Sequence, residues 1–470
     1  MHVLPVLVLL AVQAQAPVPE AVALKKSCDA KVGADCYKLA GLHKRGEAGA
    51  TRDAEKAADL LKKACELNVA PACLDYAAAW RTGEGVKRDP LKAVPLYQKA
   101  CDGSVAEACA QLAGMLASGK EVEKHLGRAA ELHGRACDGG IAGSCGLLAA
   151  MYVEGSPMPP DLAKAAALYD KGCTGGDATS CGRLAGMLRD GRGVARDMAK
   201  AATLARKSCD GGATTACVAL ALALQNGEGL PADPKQALEL FTKACDGGEP
   251  RGCLGQGERV RDGAGVARDL PRALELFRKA CDGRVGAGCY ERALLLARGQ
   301  GAPADLAQAT SLLRQACTDG DPRGCVTLGQ LFQAGRGVVK DLNQAAKLFD
   351  EACQKGSLAG CSAFAAMLES GDIIGRDLAR ARALYDKTCA GGISADCYAL
   401  GRLVQKDVNG RKPAFDLFSK ACTGNVPAAC HEVAQAWDTG REPMKALPFY
   451  QKACTGGIAA ACDRAKKLQP

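Results

Sequence analysis

Aromatic residues are scarce in this chain: Trp, Tyr and Phe make up 4% of 470 residues, and only two are tryptophan. The composition therefore does not supply a roomy core of the kind aromatic side chains fill. Histidine occurs five times, too thinly for the clustered imidazoles of a metallo-enzyme. Basic blocks are missing as well; 61 Lys and Arg stand against 52 Asp and Glu, spread along the whole length, for a net charge of +9. Without such a block or interleaved aromatics, nucleic-acid binding is not expected, although mild attraction to an anionic cell envelope is. No C-x-x-C occurs and the histidines do not track the cysteines, which argues against zinc or any other metal centre. The glycine loops "GEGVKRD" and "GRGVARD" lack a following G-K-[ST] and a preceding strand, so they are read as interhelical turns and no nucleotide or other cofactor is expected. No apolar run reaches the ~20 residues that cross a bilayer.

The longest apolar run, Val3 to Val12, is followed by small residues. Residues 1–16 read as a secretory signal peptide, cut after Ala14 or Ala16. The first is preferred, because the second would leave Pro17 at the new terminus. No cysteine stands near the cut to carry a lipid. The mature chain is thus expected to be exported, to periplasm or beyond, without a transmembrane anchor.

What the chain has in abundance is cysteine, 26 in all. They form thirteen pairs, each with seven residues between its members. Cys28 pairs with Cys36, Cys65 with Cys73, Cys101 with Cys109, Cys137 with Cys145, Cys173 with Cys181, Cys209 with Cys217 and Cys245 with Cys253. Further along, Cys281 pairs with Cys289, Cys317 with Cys325, Cys353 with Cys361, Cys389 with Cys397, Cys422 with Cys430 and Cys454 with Cys462. From Cys65 to Cys389 the first members advance in steps of 36; the opening step is 37 and the last two are 33 and 32. A fixed period of this length marks a stacked-repeat protein. An even, regular cysteine set in an exported chain implies disulfides.

Each period reads as two helices. In "CGRLAGMLRDGRGVARDMAKAATLARKSC", Leu184, Met187 and Leu188 recur at helical spacing before "DGRGV" breaks the pattern. Asp197 then caps a second helix, which "DGG" ends. The cap recurs as Asp53, Asp89, Asp161, Asp233, Asp269, Asp305, Asp341 and Asp377, with His125, Gly410 and Glu442 in the remaining units. Small residues recur as strictly. Four places after the second cysteine stand Ala40, Ala77, Ala113 and their successors, with Gly257, Gly329 and Gly401 as glycine variants. Four places after the cap there is always alanine, from Ala57 to Ala446. Short antiparallel helices can approach closely across such positions.

Eight residues of continuous helix would hold the paired cysteines ~12 Å apart, whereas a disulfide needs Cα atoms about 5.5–6 Å apart. The glycines let the chain reverse, so each bridge is expected to tie the second helix of one unit to the first helix of the next. The expected fold is all-α, an α/α solenoid stapled by disulfides. Residues 17–470 form a single array of about 12 helix pairs between half-units at each end.

The "DGRGVARD" and "NGEGLPAD" loops followed by "ALELFTKAC" resemble Sel1-like repeats, relatives of the tetratricopeptide repeats. The cysteine spacing is similar to that of the Helicobacter cysteine-rich protein family. The resemblance covers residues 18–470 and implies a right-handed α/α superhelix with a concave face. The G-x-G loop is lost at Glu121, Pro157 and Ile373, and in the last two units, which puts only local loop geometry in question. Members of that family are often labelled β-lactamases, which would make the chain a hydrolase acting on β-lactams. A serine enzyme of that class needs S-x-x-K and a companion such as K-T-G, and neither occurs; "KTC" at Lys387–Cys389 is the nearest approach. No catalytic residue is assigned. His125 and His133 are read as a helix cap and a solvated helix-face residue.

The favoured function is a monomeric scaffold binding a protein, a peptide or cell-wall material on its concave face. The rivals are a β-lactam-binding or weakly hydrolytic protein and a secreted regulatory or host-interaction factor. A deep pocket with converging titratable groups would favour an enzyme, a smooth groove the scaffold. Trp80 and Trp437 sit seven places after Cys73 and Cys430, and the same units carry Pro95 and Pro448 six after the cap. Proline there is expected to kink the helix, leaving space between the helices for the indole to meet it.

Overall fold

The computed structural model describes residues 20–371 and 374–469. The signal-peptide reading of residues 1–16, with its cut after Ala14 or Ala16, falls outside the described residues, as does Ile373. The described residues form 26 helices and no strand. Two compact units are distinguished, one ending at Asp233 and one beginning at Pro234.

Unit 1 holds α1 (Glu20–Asp29), α2 (Gly33–Arg45), α3 (Ala54–Glu66), α4 (Ala70–Thr82), α5 (Pro90–Asp102), α6 (Ala106–Ser118), α7 (Leu126–Asp138), α8 (Ala142–Glu154), α9 (Leu162–Thr174), α10 (Ala178–Asp190), α11 (Met198–Asp210) and α12 (Thr214–Asn226). Unit 2 holds α13 (Pro234–Asp246), α14 (Pro250–Asp262), α15 (Leu270–Asp282), α16 (Gly286–Ala297), α17 (Leu306–Thr318), α18 (Pro322–Ala334), α19 (Leu342–Gln354), α20 (Leu358–Ser370), α21 (Leu378–Ala390), α22 (Ser394–Val404), α23 (Arg411–Thr423), α24 (Pro427–Thr439), α25 (Pro443–Thr455) and α26 (Ala459–Leu468). Within each unit consecutive helices pack side by side as a solenoid of helical hairpins.

The cap positions do the work their chemistry predicts. Asp53, Asp161 and Asp197 accept hydrogen bonds from the backbone N–H of Lys56, Lys164 and Lys200, so the first turns of α3, α9 and α11 are satisfied. Asp269, Asp305, Asp341 and Asp377 do the same in unit 2. His125 substitutes an imidazole, its Nδ1 accepting from the Arg128 N–H. Gly410 and Glu442 give no side-chain cap to α23 and α25.

The second glycine of the G-x-G loop has a packing role that its turn chemistry does not suggest. Gly85 has φ +72°, and a Cβ placed there would stand 2.0 Å from the carbonyl oxygen of Ala54, the first residue of α3. Gly193 and Gly229 abut Leu162 and Met198 in the same way. Each loop is thus pressed onto the start of the preceding unit's second helix. Where glycine is lost, Glu121 instead accepts a hydrogen bond from Arg88 at 2.7 Å.

The core is built on the small residues. Ala77, Ala93, Ala113 and Ala129 are fully enclosed. The space they leave is filled from the eighth place after the cap, where Leu61, Tyr97, Phe241, Phe277 and Phe349 are among the largest fully buried side chains. In unit 2 the match is close: a Cβ on Gly257 would meet Phe277 at 2.7 Å, and one on Gly329 would meet Phe349 at 2.7 Å. A scarce aromatic supply is concentrated at one register.

The proline half of the tryptophan–proline expectation is not met. The helices α5 and α25 run on through Pro95 and Pro448, and both prolines are exposed rather than enclosed between helices. Trp80 and Trp437 are half-buried against the core and each carries a lysine ammonium over its ring, Lys92 at 4.4 Å and Lys445 at 4.8 Å. Tyr152, at the same register, is covered by Lys164 at 4.5 Å. These rings close the end of the first helix beneath a cation from the next helix's first turn.

Candidate functional site

All thirteen cysteine pairs lie at disulfide distance, with Cα separations from 4.4 Å at Cys353–Cys361 to 4.8 Å at Cys101–Cys109. These separations are shorter than the 5.5–6 Å most often seen in disulfides but within the range that bridges span. Each pair joins the end of a second helix, or of α1, to the first turn of the next first helix. Within unit 1, α1 is tied to α2 by Cys28 and Cys36, α3 to α4 by Cys65 and Cys73, and α5 to α6 by Cys101 and Cys109. The same unit continues with Cys137 and Cys145 between α7 and α8, Cys173 and Cys181 between α9 and α10, and Cys209 and Cys217 between α11 and α12.

In unit 2 the staples are Cys245 to Cys253, Cys281 to Cys289, Cys317 to Cys325 and Cys353 to Cys361, joining α13 to α14 and so on to α20. Cys389 to Cys397, Cys422 to Cys430 and Cys454 to Cys462 complete the series up to α26. No cysteine is free among the described residues. Glu351 lies beside Cys317 and Cys325, but both sulfurs are committed to the bridge and offer a metal no thiolate.

A second periodic device escapes a reading of cysteines alone. Two places before each first cysteine there is usually Lys or Arg. Lys99 Nζ donates to the carbonyl of Cys65 at 2.8 Å, Arg135 Nη2 to that of Cys101 at 2.8 Å and Lys207 Nζ to that of Cys173 at 2.8 Å. In unit 2, Lys420 and Lys452 reach Cys389 and Cys422 at 3.0 and 2.7 Å. A cation thus adds a second, charged donor to a carbonyl at the negative end of the preceding second helix, where the backbone N–H three residues on already donates to it. The recurring "KAC" is the signal that could have found it.

The first helices carry the surface available for recognition. In unit 1 the residues two, five and nine places after the second cysteine lie one helical turn apart and are half-buried or exposed. They are Lys38, Gly41 and Arg45 on α2; Asp75, Ala78 and Thr82 on α4; Gln111, Gly114 and Ser118 on α6; Leu147, Ala150 and Glu154 on α8; Arg183, Gly186 and Asp190 on α10; and Ala219, Leu222 and Asn226 on α12. Beneath them Leu112 and Ala113, Leu184 and Ala185, and Leu220 and Ala221 are buried. The buried framework repeats from helix to helix while the exposed ridge changes its chemistry.

This ridge is interrupted by a cleft of about 330 Å3 lined by Arg81, Gln111, Met115, His133, Ser144 and Leu147 of α4, α6, α7 and α8, with Glu121 and Ile141 from the connections between them. His133 corrects the sequence reading: it is 2% exposed, not a solvated face residue. It occupies the deep register that Tyr97 and Tyr169 fill in neighbouring units, so period rather than polarity decides its burial. Desolvation pushes its imidazole below the ordinary histidine range, favouring the neutral form. Its Nδ1 lies 3.4 Å from the Ser144 hydroxyl, itself 3% exposed.

Unit 2 has charged groups of another kind. Arg261 Nη1 is 2.5 Å from Glu291, whose second oxygen is 3.4 Å from Arg323, and Arg323 in turn is 2.7 Å from Asp321 and lies over the Tyr290 ring at 4.4 Å. Burial, and then the neighbouring Glu291, raise Glu258 above the usual carboxylate range. The Arg261–Glu291 and Glu291–Arg323 pairs bridge first helices of successive repeats, while Arg323–Asp321 is local to the start of α18. No helix among the described residues is long and apolar enough to cross a membrane.

The Sel1 repeat profile matches residues 34–69, 70–105, 106–141, 142–177, 178–212, 214–249, 254–284, 286–321, 322–357, 360–393 and 394–426. A protective antigen present in uropathogenic Escherichia coli strains, displaying an SLR fold, is 23% identical, with 95% of this chain and 93% of that one covered at a TM-score of 0.70. A Sel1 repeat protein from Oxalobacter formigenes is 19% identical, covering 52% of this chain and 96% of its own at a TM-score of 0.48. Cysteine-rich protein B of Helicobacter pylori is 32% identical, covering 28% of this chain and 93% of its own at a TM-score of 0.24. No curated protein matches the chain. The repeat match extends over most of the sequence, in register with the helical hairpins described above, and the chain belongs to the Sel1 repeat family.

Proposed function

We propose that the chain is an exported, disulfide-stapled scaffold that binds a protein or peptide segment along the exposed ridge of its first helices. One observation carries this reading: the framework positions recur while the ridge positions of α2, α4, α6, α8, α10 and α12 differ in charge, size and polarity. A surface of that kind presents a sequence of distinct contacts to an extended partner. Repeats of this family typically serve protein–protein contact. Thirteen bridges suit an oxidising compartment, in accord with the leader-like residues 1–16.

The β-lactam alternative finds less support. Ser144 beside His133 is the arrangement that most resembles a nucleophile and base, yet Leu147 rather than lysine stands one turn on. The Ser144 N–H is already bound to the Ile141 carbonyl and cannot serve an oxyanion.

A photo-crosslinking residue at Lys38 or Arg183, on the ridge, is expected to capture a partner in cells, while the same residue at Lys62 or Glu131 on second helices is not. Capture only from the second helices would overturn the proposal. So would saturable nitrocefin turnover by the purified chain that Ser144→Ala abolishes.

A further inference from the structure

The cleft of unit 1 lies where one repeat departs from its neighbours. An imidazole is smaller than the phenol of Tyr97 or Tyr169, and the floor it leaves is widened by Gly114 and Gly143, whose absent Cβ atoms would meet nothing within 4 Å. The buried pair on this floor has a hydrogen-bonding capacity it does not use up. If the Ser144 hydroxyl donates to His133 Nδ1, the neutral ring carries its proton on Nε2. If Nδ1–H donates to Ser144, the hydroxyl proton is spare. Either tautomer leaves one side-chain donor without a partner among the described residues, since the 3.4 Å contact is the side-chain hydrogen bond between the two.

The charge lining the cleft is also unbalanced. Glu121 is held 2.7 Å from Arg88. Arg81 has only a neutral partner, the Gln111 amide oxygen at 3.1 Å, and pairs with no carboxylate among the described residues. A half-buried guanidinium facing an amide retains N–H donors suited to a carboxylate. Beside it Met115, Ile141 and Leu147 form an apolar wall, Leu147 being 54% exposed.

We propose that this cleft is an anchoring subsite for a carboxylate carried next to an aliphatic side chain on a partner peptide. The carboxylate binds Arg81 and the spare donor of the His133–Ser144 pair, and the aliphatic group packs on Met115, Ile141 and Leu147. The inference rests on the scaffold reading and narrows it to one place and one chemistry. The same chemistry could come from a chain terminus or from an acidic side chain.

Calorimetric titration of the full oxidised chain with three peptides distinguishes these sources: N-acetyl-Ala-Ala-Leu with a free carboxylate, its C-terminal amide, and the amide of N-acetyl-Ala-Glu-Leu. One of the acidic peptides is expected to bind at least about tenfold more tightly than the neutral amide, the scale of a charge-assisted pair. Arg81→Gln should remove that preference, and His133→Tyr, which installs the residue of the neighbouring units, should close the cleft while leaving the thermal transition in place. Equal affinity for all three peptides, no binding at all, or an unchanged preference in Arg81→Gln would overturn the subsite. Should His133→Tyr fail to fold, Arg81→Gln decides alone, because Arg81 is half-exposed at a helix end. A partner cross-linked at Lys38 and still captured by Arg81→Gln and His133→Tyr would remove the subsite but leave the scaffold. Absence of any ridge cross-link would remove the scaffold itself.

Discussion

Two glycine substitutions separate backbone strain from packing in this repeat. Gly85 and Gly140 have φ of +72° and +90°, so alanine at either place incurs the left-handed penalty of roughly 1–2 kcal/mol. Both changes also stiffen the unfolded chain, offsetting roughly 0.4–1 kcal/mol of that loss. They differ in surroundings. A Cβ on Gly140 would meet nothing within 4 Å, whereas one on Gly85 would lie 2.0 Å from the Ala54 oxygen and 2.5 Å from its carbonyl carbon. Relieving that overlap means moving the loop or the start of α3 by about an ångström, and overpacking of this kind costs typically 1–3 kcal/mol more. Gly140→Ala should therefore lose about 1 kcal/mol and Gly85→Ala roughly 2–4 kcal/mol. Stacked repeats open locally rather than all at once, so the assay is amide hydrogen exchange read at two places. The Lys56 N–H capped by Asp53 and the Asp89 N–H bound to Trp80 at 2.8 Å should both exchange faster in Gly85→Ala, and neither should in Gly140→Ala. Equal losses in the two variants, or an undisturbed α3 in Gly85→Ala, would refute the idea that the loop is wedged against the preceding helix.

Non-reducing peptide mapping should recover only bridges between cysteines eight apart; any long-range pair would defeat the staple arrangement. Each eight-residue loop is worth ~2–3 kcal/mol on the chain-entropy account, so reduction should lower the melting temperature sharply while much of the helical circular dichroism persists in the cold. Arg284 holds a left-handed backbone at φ +60°, in the register where several other units have glycine, and Arg284→Gly should stabilise unit 2 by roughly 1 kcal/mol in urea titration. His133 has a lowered folded-state pKa, so its contribution is present above the unfolded histidine value near 6.5 and is lost as pH falls below it. Stability of His133→Tyr should accordingly fall less than that of the parent below about pH 6.5, and parallel acid profiles would refute the burial argument.

Much of this architecture is legible in the chain because it is periodic. The cysteine spacing, the Asp caps and the small residues four places on each fix a local event within one helix or one turn. Which recurring position meets which is not legible in the same way. Lys99 finds its acceptor at Cys65 and Gly85 finds its neighbour at Ala54, each about one period back, so the period names the participants without pairing them. Polarity misplaces His133, because register outweighs it; the same position holds Tyr97 and Tyr169, and stacking on both sides buries whatever stands there. The prolines mislead differently. Pro95 and Pro448 lie on the exposed side, where a helix can lose one hydrogen bond without a partner helix having to give way.

The spacing of the bridges also sets how such a chain would behave under tension. Each disulfide short-circuits only the eight-residue turn, while 28 positions separate Cys73 from Cys101 with no covalent shortcut between them. If the two ends of an oxidised unit are pulled apart, a helical hairpin can still come off the stack and unravel. It then releases the length of those 28 positions, roughly 95 Å at full extension, instead of the roughly 120 Å of a whole 36-residue period. The bridges therefore act as fixed crimps along an extensible thread. They leave the unravelling of any one repeat possible, but the turn at each end keeps its register, ready for the helices to close on it again when the load is removed.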